Sequence, residues 1–463
     1  MAAASKTLDL VVWGSTGFTG KYIARHLAEA YLPLPAPPSS STSSPPASPP
    51  APPLRWALAG RSLPKLEALR LELAKINPAA AAVPLLVASL DDAASLDAAV
   101  GSARAVISAA GPYAAIGSEV VASAVRCGTH YADLTAEIPW VLSMHDRHSR
   151  DAIANGVKVV HSAGFDSQPS DLSAFLLAGE ARRRHGVGLR EIWTLAGPAK
   201  GGFSGGTVES LLTACYENRG GEESRRRAAG LHCLAEASGA GGGAGASSAS
   251  APPPPPPPSA SSSVPRGLRP RFVEPAGTWT APFVMAFINE RVVRRSAALL
   301  PRLYGEGAPP RVTEGLAVPN AVAAALVSSI MALGSLLCGL RPFRALVRAA
   351  APKQGSGPSD ELCRSGSWRM DAVGVTLPDA SGRSHVVRAV AEDPKRDPGY
   401  WGTSRMLVEI GVALATQSQE LEEAGCLRGG FLTPATAGGS VLVERLNRAG
   451  MRFEVVEEDA EKK

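Results

Sequence analysis

The stretch Val11–Gly20 reads VVWGSTGFTG and carries three glycines, Gly14, Gly17 and Gly20, at a spacing of three. Residues of this kind can hold a phosphate. Gly14 permits a tight turn, Gly17 lets backbone approach a pyrophosphate with no Cβ in the way, and Gly20 lets a following helix pack close to a sheet. The phosphates would then meet the free N–H groups and positive dipole end of that helix, which brings in Ser15, Thr16, Phe18 and Thr19 as well. The spacing is G-x-x-G-x-x-G, not the G-x-G-x-x-G of the familiar dinucleotide turn. Its place gives it weight: it follows the apolar run Leu8–Trp13 and precedes a helical pattern.

The end of the next strand selects the dinucleotide. A site for NAD normally places Asp or Glu there to bond the ribose 2′-hydroxyl. This chain has Gly60, Arg61 and Ser62. A guanidinium clamps a 2′-phosphate with charge-assisted hydrogen bonds, and an acid would repel it. The cofactor expected is therefore NADP(H). Asp91, after the third strand, suits either an adenine amino group or a helix cap. The fourth strand runs into SAAGPY, where small residues with Gly111 and Pro112 leave room for the nicotinamide half. Tyr113 carries a phenol able to protonate an enolate-like carbon, or else packs beside the ring.

Further polar turns supply substrate candidates. GFDSQPSDL follows the sixth strand at the carboxyl end, where open α/β sheets bind ligands. It offers Asp166 for catalysis and Ser167 for substrate, with Asp171 read as a helix cap. GGFSGGT, residues 201–207, opens a helix whose N–H groups at Gly205, Gly206 and Thr207 would hold an anionic or carbonyl group, or simply form a turn. Asp133 and Glu137 flank the end of the fifth strand. Six cysteines are scattered with no CxxC pair, so no metal or dithiol site is expected. The net charge of +5 over 463 residues does not suggest a nucleic-acid partner.

The elements that must position these residues alternate. Expected strands at Leu8–Trp13, Arg55–Ala59, Val83–Val87, Ala105–Ala109, Tyr131–Leu134 and Val157–His161 are separated by helical patterns. That order implies an α/β fold, a Rossmann-type doubly wound parallel sheet over residues 1–178. A second, α+β domain is expected over 186–400, with a hairpin turning at Asp379–Gly382. Residues 401–463 are expected to form a helix and tail packing back on the core. Two segments, 33–53 and 238–265, are rich in Pro, Ser, Ala and Gly and are read as disordered insertions.

The run Ala321–Leu340 holds no charge over 20 residues and is followed by Arg341, Arg344 and Arg348. It reads either as a membrane or lipid-surface contact with a cytosolic basic flank, or as a buried core helix. The first strand begins so early that a cleaved signal or transit peptide would remove part of it, so none is expected. The sequence assigns no oligomeric state.

GSTGFTG, AGRSLPKLEAL, AAGPYAAIG, CGTHYADLTAE, GFDSQPSDL, FSGGTVES, DPGYWGTSRMLVEIG and the tail GGSVLVERLNRAGMRFEVVEE occur in this order. Together they resemble the saccharopine dehydrogenase-like oxidoreductases, a family related to mycobacterial trans-acting enoyl reductases. The likeness covers the chain apart from the two insertions. One departure is Ala136, before Glu137, where the family commonly has glycine. The resemblance implies an NADP-binding Rossmann domain, a second domain, association with membranes or lipid droplets, and a role in lipid or glycolipid metabolism. Under it the chain is expected to reduce a lipid-like, enoyl or related substrate. A catalytically silent NADP-binding scaffold is the alternative, and a lysine-pathway saccharopine dehydrogenase is a weaker one.

Overall fold

The structure is a computed structural model that describes residues 6–33, 54–201, 270–350 and 357–457. Strands β1 (Leu8–Trp13), β2 (Trp56–Gly60), β3 (Leu85–Val87), β4 (Ala103–Ser108), β5 (His130–Asp133) and β6 (Lys158–Val160) alternate with helices, as the patterning required. All of them pair in parallel. β1 and β4 lie inside the sheet with helices over both faces. Leu10, Val11, Val12, Val106 and Ile107 are accordingly apolar in unbroken runs rather than alternating with polar residues. Chain order reverses beside β1, which has β2 on one side and β4 on the other. The crevice for a ligand opens at the carboxyl ends of these strands.

The second sheet is mixed. It contains β7 (Leu189–Lys200), β8 (Arg271–Val273), β9 (Thr278–Ala281), β10 (Arg311–Val318), β11 (Ser367–Thr376) and β12 (Val386–Asp393). Among the described strands of this sheet only β7 and β10 pair in parallel; the β11–β12 hairpin turns where Gly382 N–H donates to the Asp379 carbonyl at 2.9 Å. The helix Gln168–His185 leaves the first sheet and lies on the second. Leu177, Ala178 and Ala181 pack there with Ile192, Ala372 and Ala389. It stops at Gly186, whose φ of 69° suits a residue without Cβ.

The C-terminal segment does more than pack back. β13 (Gly430–Leu432) adds a parallel edge strand beside β6, and β14 (Arg452–Val456) pairs antiparallel with β12. Each described sheet thus has seven strands, in the orders β13-β6-β5-β4-β1-β2-β3 and β14-β12-β11-β7-β10-β9-β8. Between them the helix Thr403–Thr416 packs against β1, β4 and β5. A Cβ at Gly411 would lie 2.5 Å from Ile107 Cγ2, so glycine is what lets this helix approach the sheet. The C-terminal segment therefore contributes a strand to each sheet and ties the two domains together.

Candidate active site

The glycine run forms the turn its spacing implied. Gly14 has φ of +74°. A Cβ there would sit 2.7 Å from Ala110 Cβ, so the turn and the end of β4 are in contact across the crevice. A Cβ at Gly20 would meet the Gly14 carbonyl oxygen at 2.3 Å. Gly17 is exposed and precedes the helix Phe18–Ala30. The first bond of that helix is Lys21 N–H to Gly17 O at 3.0 Å, which leaves the amides of Phe18, Thr19 and Gly20 for a ligand. The buried Ser15 hydroxyl donates to Ala59 O at 3.2 Å and anchors the turn to β2. Thr16 and Thr19 make no side-chain hydrogen bond among the described residues. The Phe18 ring turns away, edge-on to Tyr400 at 4.9 Å, so Phe18 can offer a cofactor only its amide.

Beyond β2 the Arg61 side chain is exposed and has no hydrogen bond or ion pair among the described residues. Ser62 precedes the helix Leu63–Ala74 without capping it by its hydroxyl. The cap expected of Asp91 is made by its neighbour. Asp92 accepts from Ala94 N at 3.1 Å and Ser95 N at 3.2 Å, and the Asp91 carboxylate stays exposed at the crevice side of β3. Gly111 and Pro112 are exposed on the rim beyond β4.

Tyr113 takes the packing role. Its ring is buried, its hydroxyl donates to Ser108 O at 3.0 Å, and Leu134 N–H donates to that hydroxyl at 3.3 Å. Burial, then the nearby Asp133 charge, pushes the phenol well above its ordinary value. A proton held this way is not available for transfer. Glu137 is likewise structural, accepting from Tyr113 N and Ala114 N, both at 2.8 Å.

The turn after β6 divides its residues. Ser167 is fully buried and donates to Asn289 Oδ1 at 2.9 Å, so it joins the domains and does not face a substrate. Asp171 is no cap: it accepts from Ser296 Oγ and from Ala435 N. Asp166 differs from both. It is half-buried and has no hydrogen bond among the described residues, and burial pushes its carboxyl up to about 6. Its neighbour Phe165 forms one wall of a cavity of about 350 Å³ on the second sheet, with Ala196, Phe283, Leu316 and Met370. The lining is apolar apart from Arg369, which is paired with Asp371 and Glu392. Gly205, Gly206 and Thr207 lie outside the described residues.

Two groups carried no sequence signal. His161 bonds Asp133 in the first domain. Glu314, on β10, is buried at the domain seam, and its Oε1 accepts from Ser170 at 2.8 Å and Asn289 at 3.2 Å. Oε2 has no hydrogen-bond partner among the described residues, and burial pushes the carboxyl from 4.5 up to about 8. Folding therefore holds a proton that the unfolded chain releases. This contribution to stability is intact below the unfolded value and declines as pH rises toward about 8. Glu314→Gln removes that slope. The variant should be more stable than the wild type by about 2 kcal/mol at pH ~8 and equal to it at pH ~4. Denaturant unfolding at the two pH values checks this; a destabilised variant at the higher pH would overturn it.

No protein-family model matches the chain. Among curated proteins it is 34% identical over 462 residues to a candidate trans-acting enoyl reductase of Mycobacterium tuberculosis, covering 98% of this chain and 99% of the relative. It is 32% identical over 462 residues to a trans-acting enoyl reductase of Mycobacterium bovis, covering 97% and 98%. A solved structure, apo saccharopine dehydrogenase of Saccharomyces cerevisiae, aligns over 97% of this chain and 99% of its own at 13% identity, with a TM-score of 0.47. The turn, the switch point and the two curated relatives define an oxidoreductase that uses a nicotinamide cofactor. With such identity along nearly its whole length, the chain belongs to the trans-acting enoyl reductase family.

Proposed function

We propose that this protein is an NADPH-dependent reductase of a carbon–carbon double bond on a lipid-like substrate at a membrane or lipid-droplet surface. The observation that carries the reading is the apolar cavity on the second sheet, one wall of which is Phe165, the residue before Asp166. An acyl chain is recognised by such a lining, and exclusion of water there strengthens each polar interaction at its rim. The relatives' name, enoyl reductase, agrees with that chemistry. Bound NADPH would supply the hydride. The amides of Phe18, Thr19 and Gly20 suit its pyrophosphate, and the exposed Arg61 suits its 2′-phosphate. Asp166 holds the proton that the reduced carbon needs. Purified protein with NADPH and vesicle-borne enoyl and saturated acyl esters tests the reading. Consumption of NADPH only with the enoyl series supports it. Tight NADPH binding with no consumption supports the silent scaffold instead.

A lipid surface is supported by the arm after β10. Helices Ala321–Leu337 and Arg341–Ala350 meet at 111°, and no single described helix is long and apolar enough to cross a membrane. The arm is not core. Only Ala324 and Ser328 of the first helix are buried, whereas Leu326, Ile330 and Leu336 are 61%, 60% and 64% exposed. An apolar face lying along an interface, with Arg341 and its neighbours at headgroup level, accounts for this exposure. Replacing Leu326, Ile330 and Leu336 by Lys should lower binding to anionic vesicles by at least about tenfold, with the melting temperature unchanged. Undiminished flotation with vesicles would contradict the surface reading.

A further inference from the structure

The arm is seated on the strands that wall the cavity. Its first helix, Ala321–Leu337, starts just after β10 and packs on β8, β9 and β10. Ala324 is fully buried there against Ala281 of β9 and Val318 of β10, with Ala323, Val327 and Leu316 packed around them. Leu316 has a second place. With Ala317 and Phe283 it lines the cavity of about 350 Å³. One side chain is thus both a wall of the cavity and part of the seat of the arm.

Leu316 is half-buried, as are Ala323 and Val327, and beyond them Val322 and Leu326 stand exposed. Apolar side chains therefore succeed one another from the outer face of the arm to the cavity. Residues 315–340 carry no charge. The charged lining residue, Arg369, stands on β11, and β7 lies between that strand and β10. Charge is kept to the side of the cavity away from the arm. A hydrocarbon chain gains free energy by leaving water and gives it back along any route through water. A continuous apolar path lets the chain keep that gain. An arm lying with its apolar face at the acyl boundary supplies the other end of such a path.

We propose that the cavity is filled sideways from the lipid surface. A hydrocarbon chain passes from the bilayer along the inner edge of the arm and over Leu316, without crossing water. Leu316 is the threshold, and its size sets the width of the passage. The inference rests on the reading of a reductase at a lipid surface and deepens it: the substrate is a chain still anchored in a bilayer, not one carried through water.

Photolabelling of the full chain tests this without needing turnover. The probe is a saturated acyl ester with a diazirine near its methyl end, in vesicles of phosphatidylcholine and phosphatidylglycerol. After irradiation, labelled residues are located by mass spectrometry. The wild type should be labelled on the arm and also on the cavity wall, at Phe283 or Met370. Leu316→Trp should lower cavity labelling relative to arm labelling by at least about tenfold, with flotation on vesicles unchanged. The arm variant with Lys at 326, 330 and 336 should lose cavity labelling too, and it decides the matter if Leu316→Trp does not fold. Labels confined to the arm of the wild type, an unchanged ratio in Leu316→Trp, or cavity labelling that persists in the Lys variant would each overturn the route. Cavity labelling that obeys both variants, in a protein that consumes no NADPH, would sustain the route and remove the reductase reading.

Discussion

Asp166→Asn should lower turnover with an enoyl substrate by about two to four orders of magnitude, the usual worth of a positioned acid. The amide has nearly the carboxyl's shape but no proton to give. Among the acids on the turn after β6, Asp171 is spent on Ser296 and Ala435. Tyr113, the other expected donor, is spent on Ser108 and Leu134. Asp166 alone of these has no internal hydrogen bond, and its half-buried position pushes the carboxyl up to about 6. The sign of the pH dependence follows. Turnover needs the protonated form, so in the wild type kcat should fall as pH rises through about 6, and the residual activity of the variant should lose that inflection. A pH profile of kcat for both proteins reads this out. Wild-type turnover in Asp166→Asn would remove Asp166 from the reaction.

Arg61→Asp should weaken NADPH binding by about a hundredfold, the loss of two charge-assisted hydrogen bonds. The introduced carboxylate adds repulsion to a 2′-phosphate and offers an acceptor to a 2′-hydroxyl, so NADH should bind the variant more tightly than NADPH does. Because Arg61 is exposed and unpaired among the described residues, the substitution should leave the melting temperature unchanged. That separates a cofactor effect from a folding effect. Parallel titrations of both nucleotides check it, and an unchanged preference in the variant would mean that Arg61 does not face the 2′ position.

What was legible in the sequence had local causes. The glycines at 14 and 20 are needed where they stand, because a side chain would collide with Ala110 or with the turn's own carbonyl. Buried parallel strands such as β1 and β4 are apolar throughout, so their runs stand out. The β11–β12 hairpin announced itself through Asp379 and Gly382. The rest depends on partners distant in the chain. β13 has three residues, and only pairing with β6 makes it a strand. Glu314 looks like an ordinary polar position on an alternating strand until Ser170 and Asn289 close over it. Nothing near His161 hints that Asp133 fixes one nitrogen and leaves the other unpaired. For Tyr113 and Ser167 the residue type was right for chemistry, but tertiary contacts had already used the hydroxyl. The apolar run at 321–340 fitted a core helix and a lipid-facing arm equally well in sequence, and the exposure of Leu326, Ile330 and Leu336 speaks against the core helix.

The central claim is that this crevice carries a hydride from NADPH to a carbon–carbon double bond and a proton from the protein to the adjacent carbon. The most direct measurement follows the label. The full chain is given NADPH deuterated at its transferable position and a long-chain enoyl ester in vesicles, and the lipid product is weighed by mass spectrometry. The account predicts a saturated product with one deuterium from the cofactor in ordinary water, and a second deuterium when the reaction runs in heavy water. An unlabelled product, or no product while NADPH is demonstrably bound, would contradict it.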